Sequence, residues 1–239
     1  MISLLRPLVP LGRVLQRVCG YARFTSASAK LTGSSPCSIQ EAKQVANLYD
    51  TWGTDYDDDV HKWGYQLPEL AVNYARETVG QKVFEGARLL DAGAGTGLLA
   101  HCLKDAAVAD ATGIDISPEM LSKAMRSGFY SCCKVVDLKK RFEGLEDEAF
   151  DLTLCLGTLT YMSPEDMTLT ELCRVTKKGG YVVFSMRTDL CEKWEAAQAA
   201  LEQKGVWTHL GTSEGFDYLP ANPEYGNTIL VKVYVYQVA

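Results

Sequence analysis

The chain has 239 residues, 47% hydrophobic and 23% charged, enough for one α/β domain with a full core. No apolar run is long enough to cross a bilayer, and the 8 cysteines form no C-x-x-C pair and no Cys/His cluster with zinc-ligand spacing. Net charge is −6, and about −11 once the basic first 40 residues are set aside, so nucleic acid is disfavoured as a partner.

Residues 1–37 differ from the rest. Arg6, Arg13, Arg17, Arg23 and Lys30 precede the first acid, Glu41. A helix there puts Leu11, Val14, Leu15 and Val18 on one face and Arg13, Gln16 and Arg17 on the other. This reads as a mitochondrial transit peptide and predicts a matrix location. A basic tail on a cytoplasmic protein is the alternative. Pro10, Arg13 and Arg17 interrupt the apolar core that a secretory signal needs.

Residues 38–239 read as one domain, opened by a helical segment over 38–80. Ile39, Ala42, Val45, Ala46 and Leu48 share a helical face. An aromatic and acidic stretch follows, with Tyr49, Trp52 and Tyr56. Asp57, Asp58 and Asp59 read as a solvated helix start, without the further ligands of a calcium loop. The next helix spans Pro68 to Val79, with Leu70, Ala71, Tyr74 and Val79 inward, and Gly80 and Gly86 bracket a turn.

Leu89 to Ala100 is the stretch on which the domain turns. Leu89 and Leu90 end a buried strand, Gly93, Gly95 and Gly97 allow a sharp turn, and helical spacing resumes at Leu98 and runs to about Lys104. Unpaired amides at such a helix start favour an anionic or polar ligand. The dinucleotide fingerprint is G-x-G-x-x-G, but the spacing here is G-x-G-x-G, with Asp91 two residues ahead. A second strand ends at Asp115, roughly twenty residues on, where an acid can accept from both hydroxyls of a ribose. Ser117-Pro118 is a helix opening, a cap followed by proline at the first helical position. Met120, Leu121, Ala124 and Met125 form that helix's apolar face.

Cys132 to Leu138 is the third strand and its exit, and Phe150 to Gly157 the fourth, apolar on both faces as a central parallel strand is. Ser163-Pro164-Glu165 opens a helix with Leu169, Leu172 and Val175 inward, ended by Lys177-Lys178-Gly179-Gly180. Tyr181 to Met186 is the fifth strand, Glu192 to Lys204 a helix, and a sixth strand starts at Trp207. Thr228 to Val238 is a long alternating strand at the C-terminus. Between them, Gly211 to Asn227 is a candidate substrate-side loop.

The acid-G-x-G-x-G turn at Asp91 to Gly97 resembles the class I S-adenosylmethionine (SAM) methyltransferases, in which it holds the amino-acid half of SAM. The tyrosine, aspartate and tryptophan pattern from Tyr49 to Asp57, continued by Trp63, Tyr65, Leu67 and Pro68, resembles the lid of small-molecule methyltransferases. With the exit from Lys177 to Arg187, it makes the chain similar to the family of methyltransferase-like protein 27. The resemblance implies a doubly wound, mostly parallel seven-stranded α/β sheet with a C-terminal antiparallel hairpin, and SAM as cofactor. It implies a cofactor set of Asp91, Gly93, Ala94, Gly95, Thr96 and Cys155, with Asp115 on the ribose. Ile116 and Met120 are expected beside the adenine, Asp137 and the Leu138 backbone at its edge, and Tyr56 in the lid. For Tyr56 and Met120, core packing is an equal reading.

The loop from Gly157 to Tyr161, at the carboxyl end of the fourth strand, is expected beside the reactive methyl. The sequence assigns no catalytic base, because His61, His101 and His209 have no visible carboxylate partner, and it points to no metal. A SAM-dependent methyltransferase acting on a small molecule or a protein side chain is the reading. A methyltransferase-fold binding or assembly protein without turnover is the alternative, and a nicotinamide dehydrogenase is disfavoured.

Overall fold

The computed structural model describes residues 56–222 and 229–239. The transit segment, the helix over 38–48, Tyr49, Trp52 and the start of the last strand at Thr228 lie outside them. In chain order the helices are α1 (Tyr56–Lys62), α2 (Leu67–Val79), α3 (Leu98–Leu103), α4 (Pro118–Arg126), α5 (Thr168–Val175) and α6 (Cys191–Gln203). The strands are β1 (Arg88–Ala92), β2 (Asp110–Asp115), β3 (Cys132–Val135), β4 (Phe150–Cys155), β5 (Thr176–Arg187), β6 (Trp207–Thr212), β7 (Phe216–Asp217) and β8 (Leu230–Val238).

The sheet order is β3-β2-β1-β4-β5-β8-β6, with β7 paired to β8. Strands β1 to β5 pair in parallel, and β8 runs antiparallel between β5 and β6. The expected doubly wound sheet and closing hairpin are present, with eight strands rather than seven. The extra one is the two-residue β7, inside the segment read as a candidate substrate-side loop.

Alternation along the strands explains the two layers. Leu90 packs into one apolar cluster and Leu89 into the other, and Val182 and Val183 divide the same way. One face buries Leu172 and Val175 of α5 and Trp194 of α6. The other buries Ala71 and Ala75 of α2, Leu99 of α3 and Leu121 of α4. Strand order reverses between β1 and β4, so their carboxyl ends diverge and leave a crevice there.

Several boundaries depart from expectation. The buried face of α2 is Leu67, Ala71, Val72 and Ala75, while Leu70, Tyr74 and Val79 are only part-buried. Met125 is exposed, one position off the buried stripe of α4. Ser163 does not open a helix; its amide donates to the Asp166 carboxylate, and α5 begins at Thr168. Lys177 to Gly180 do not end α5 but form an excursion within β5. Register passes there from Phe150 opposite Thr176 to Leu152 opposite Tyr181. The Thr153 and Thr176 hydroxyls, 2.7 Å apart and buried, pin the strand before that excursion, and Lys177 pairs with Asp151 at 2.6 Å within it.

Candidate active site

The crevice at the β1–β4 reversal widens into a cavity of about 1050 Å³, counted with its opening to solvent, and an adjoining one of about 380 Å³. Tyr56, Tyr65, Gly93, Gly95 and Leu156 line both, so the two are continuous. The larger is lined by Asp115, Ile116, Asp137 and Leu138 from the ends of β2 and β3 and by Met120 of α4. The smaller is lined by Asp91, Ala94 and Thr96 from the end of β1 and the turn after it. Eleven of the twelve residues expected at the cofactor thus meet in one crevice. Cys155 is the twelfth: it is fully buried and lines neither cavity, and burial pushes its thiol up to about 12.

The first two glycines of the turn have different reasons. A Cβ at Gly93 (φ +84°) would fall 2.1 Å from the Thr158 hydroxyl, so the first glycine lets the β4 loop press onto β1. A Cβ at Gly95 (φ +53°) would meet nothing within 4 Å and would project into open space. The backbone therefore approaches the cavity there with its side left bare.

Three amides of the turn are already engaged within the protein. Gly93 and Ala94 donate to the Ile114 carbonyl at 2.7 and 3.0 Å, and Gly95 donates to Asp115 Oδ2 at 3.0 Å. Asp115 Oδ1 accepts from the Ser117 amide at 2.9 Å, and the Ser117 hydroxyl caps α4 by accepting from the Met120 amide at 3.1 Å. One carboxylate thus ties the glycine turn, the end of β2 and the start of α4 together. Asp137 Oδ1 accepts from the Lys139 amide at 3.1 Å, and Lys140 lies 2.9 Å from its other oxygen.

Asp91 is buried, and the Tyr130 hydroxyl donates to its Oδ2 at 2.6 Å. Burial raises the Asp91 carboxyl to about 7; the Tyr130 hydrogen bond acts against this rise and the nearby Asp115 charge adds to it. Sequence reasoning missed Tyr130, because no local pattern links it to Asp91.

Helix α1 closes over the crevice. Tyr56 and Val60 line the larger cavity, and Asp57 Oδ1 accepts from the Thr96 hydroxyl at 2.5 Å. Asp57 is therefore a tether between the lid and the glycine turn rather than part of a solvated run, while Asp58 is exposed as expected. Trp63 and Tyr65, in the loop after α1, also line the cavity, as do Tyr218 and Leu219 from the candidate substrate-side loop.

From the β4 exit come Leu156, Gly157, Thr158 and Tyr161, and the Ser185 hydroxyl of β5 accepts from the Gly157 amide at 2.8 Å. His61, His101 and His209 are exposed and line neither cavity. Among the described residues no group of three or more His, Cys, Asp or Glu side chains could hold a metal ion.

Comparison with known proteins agrees with this geometry. Residues 90–184 match the family described as methyltransferase domain. The human protein methyltransferase-like protein 27 is 33% identical over 177 residues, covering 72% of this chain and 71% of that protein. A ubiquinone biosynthesis O-methyltransferase from Bordetella avium (strain 197N) is 30% identical over 124 residues, 51% of this chain and 50% of that one. Among solved structures, the [4+2]-cyclase SpnF superposes with a TM-score of 0.64 at 20% identity, over 82% of this chain and 96% of that one. That last likeness is one of fold.

Proposed function

Since the chain belongs to the class I SAM-dependent methyltransferases, in the family of methyltransferase-like protein 27, we propose that it transfers the methyl group of SAM to a small molecule or a protein side chain, with the cofactor held by the residues around the glycine turn. The observation that carries the cofactor reading is how the turn's hydrogen bonds are spent. The amides of Gly93, Ala94 and Gly95 are donated within the protein, and two carboxylates, Asp91 and Asp115, stand beside them. Such a site repels a pyrophosphate and suits a ligand that carries positive charge.

The bare side of Gly95 is the cradle that a bound cofactor fits. Asp91 and the turn would hold its amino-acid half, Asp115 its ribose hydroxyls, Ile116 and Met120 the faces of its adenine, and Asp137 and the Leu138 backbone the adenine edge. When bound, SAM supplies an electrophilic methyl on sulfur, and transfer leaves the electron pair on that sulfur. The chain's own work is positional. Thr158 packs on Gly93 and brings the β4 exit against the cofactor turn. Tyr56 and Val60 of α1 cover the crevice and exclude water.

Tritiated-methyl SAM added with the protein to a fractionated mitochondrial extract tests the transfer. Label moving into an acceptor fraction is expected. SAM bound without any label moving favours the second reading, a methyltransferase-fold binding or assembly protein. The superposition on a protein named as a cyclase is a likeness of fold, and a fold does not by itself fix the reaction. The basic, acid-free segment before Glu41 supports a mitochondrial location. A fluorescent fusion that moves from mitochondria to cytosol on removal of residues 1–37 is the expected result, and one that is cytosolic in both forms contradicts it.

A further inference from the structure

The cavity divides by charge. Asp115, Asp137 and Lys139 line it at the ends of β2 and β3, on one side of the strand reversal. The other wall comes from the lid, the β4 exit and the loop after β7, and among the described residues its lining holds no aspartate, glutamate, lysine, arginine or histidine. Its polar side-chain groups are phenols, the Trp63 indole N–H and the Thr158 hydroxyl, set among Met162 and Leu219. Desolvation, then the neighbouring Tyr218, raises Tyr65 well above the ordinary phenol range, so it remains a neutral hydroxyl.

Two of those phenols converge. A Cβ at Gly157 would lie 2.8 Å from the Tyr65 hydroxyl and 3.8 Å from that of Tyr218. The two rings stand edge to face, 5.8 Å between centroids and 82° apart in plane. Gly157 (φ +72°) has no side chain, which lets the Tyr65 hydroxyl come this close to the β4 exit. A charged group brought against this wall loses hydration and finds no counter-ion on it among the described residues, whereas a flat apolar ring finds aromatic surface and two hydroxyls for one polar atom.

We propose that Trp63, Tyr65, Tyr161 and Tyr218 form the methyl-acceptor subsite, and that it takes an uncharged planar ring whose edge heteroatom is held by the Tyr65 and Tyr218 hydroxyls above Gly157. The assignment as acceptor subsite rests on the transferase reading above; the preference for an uncharged ring rests on the wall alone. Tyr65 and Tyr218 are then the residues that decide which acceptors enter.

Four probes of one size test it at pH 7: benzyl alcohol, toluene, benzoate, and benzylamine as its cation. Each is titrated by NMR into the full chain, with and without S-adenosylhomocysteine. Benzyl alcohol is expected to bind about ten-fold or more tighter than either ion. Tyr65→Phe and Tyr218→Phe should each weaken benzyl alcohol by roughly three- to ten-fold, the range of one neutral hydrogen bond, and leave toluene and the melting temperature unchanged. Equal or tighter binding of an ion overturns the proposal. So does an alcohol affinity that neither variant alters, or one that falls together with that of toluene. If the probes behave as expected but S-adenosylhomocysteine does not bind, the transferase reading fails and the ring-binding wall stands.

Discussion

The Tyr130 hydroxyl donates to the buried Asp91 carboxylate at 2.6 Å, joining the strand that ends in the glycine turn to the segment just before β3. Because burial holds this carboxyl at about 7 against an ordinary 3.8, the folded chain retains a proton that the unfolded chain has released between those values. Asp91 therefore contributes stability to the unliganded protein at low pH that is lost as pH rises towards 7. Binding of SAM, which carries positive charge, runs the other way. It favours the ionised carboxylate, so affinity should rise several-fold between pH 6 and 8 with release of a proton. Tyr130→Phe removes a hydrogen bond that favours the charged form, so the midpoint should move to higher pH. Calorimetry in two buffers of different ionisation enthalpy reads the proton directly, and a flat pH profile contradicts the assignment.

The glycines of the turn should separate stability from binding. Gly93→Ala sets a methyl against Thr158 and should destabilise the fold by about 1–3 kcal/mol, seen as a lower melting temperature. Gly95→Arg projects into the cavity and should abolish SAM binding without unfolding the domain. The opposite pattern, an unfolded Gly95 variant beside a stable Gly93 variant, contradicts the geometry.

Asp115→Ala should weaken SAM by roughly 1.5–3 kcal/mol, the worth of hydrogen bonds to a charged group. Asp115 also holds the Gly95 and Ser117 amides, so Asp115→Asn, which keeps one acceptor oxygen, should retain more of the melting temperature than the alanine variant. Affinity unchanged in both variants would make the ribose assignment wrong.

The tether between Asp57 and Thr96 should appear as coupling between lid and turn. In a double-mutant cycle with Asp57→Ala and Thr96→Val, the interaction energy read from SAM affinity should be about 0.5–1.5 kcal/mol. Strictly additive effects contradict a lid held at that point.

What the sequence made legible was local. Ser117-Pro118 announces a helix start because its cap and its fixed φ act within one turn, and α4 begins there. The change from Leu89 and Leu90 to the glycines marks a strand end in the same way. The contacts of Tyr130 with Asp91 and of Thr158 with Gly93 were not legible, because parallel strands bring together residues far apart in the chain. The lysines and glycines at 177–180 misled for a related reason. Their helix-ending character is real, but Thr176 already pairs with Phe150, and the sheet claims the segment. Asp57 looked like one of three equivalent acids until the fold placed Thr96 beside it.

The most direct test is titration calorimetry of the full chain with SAM and, separately, with NADH. Micromolar binding of SAM and none of NADH is the result expected of a turn whose Gly93, Ala94 and Gly95 amides are already spent and whose neighbours are acidic. Binding of NADH, or no binding of SAM, would contradict the account.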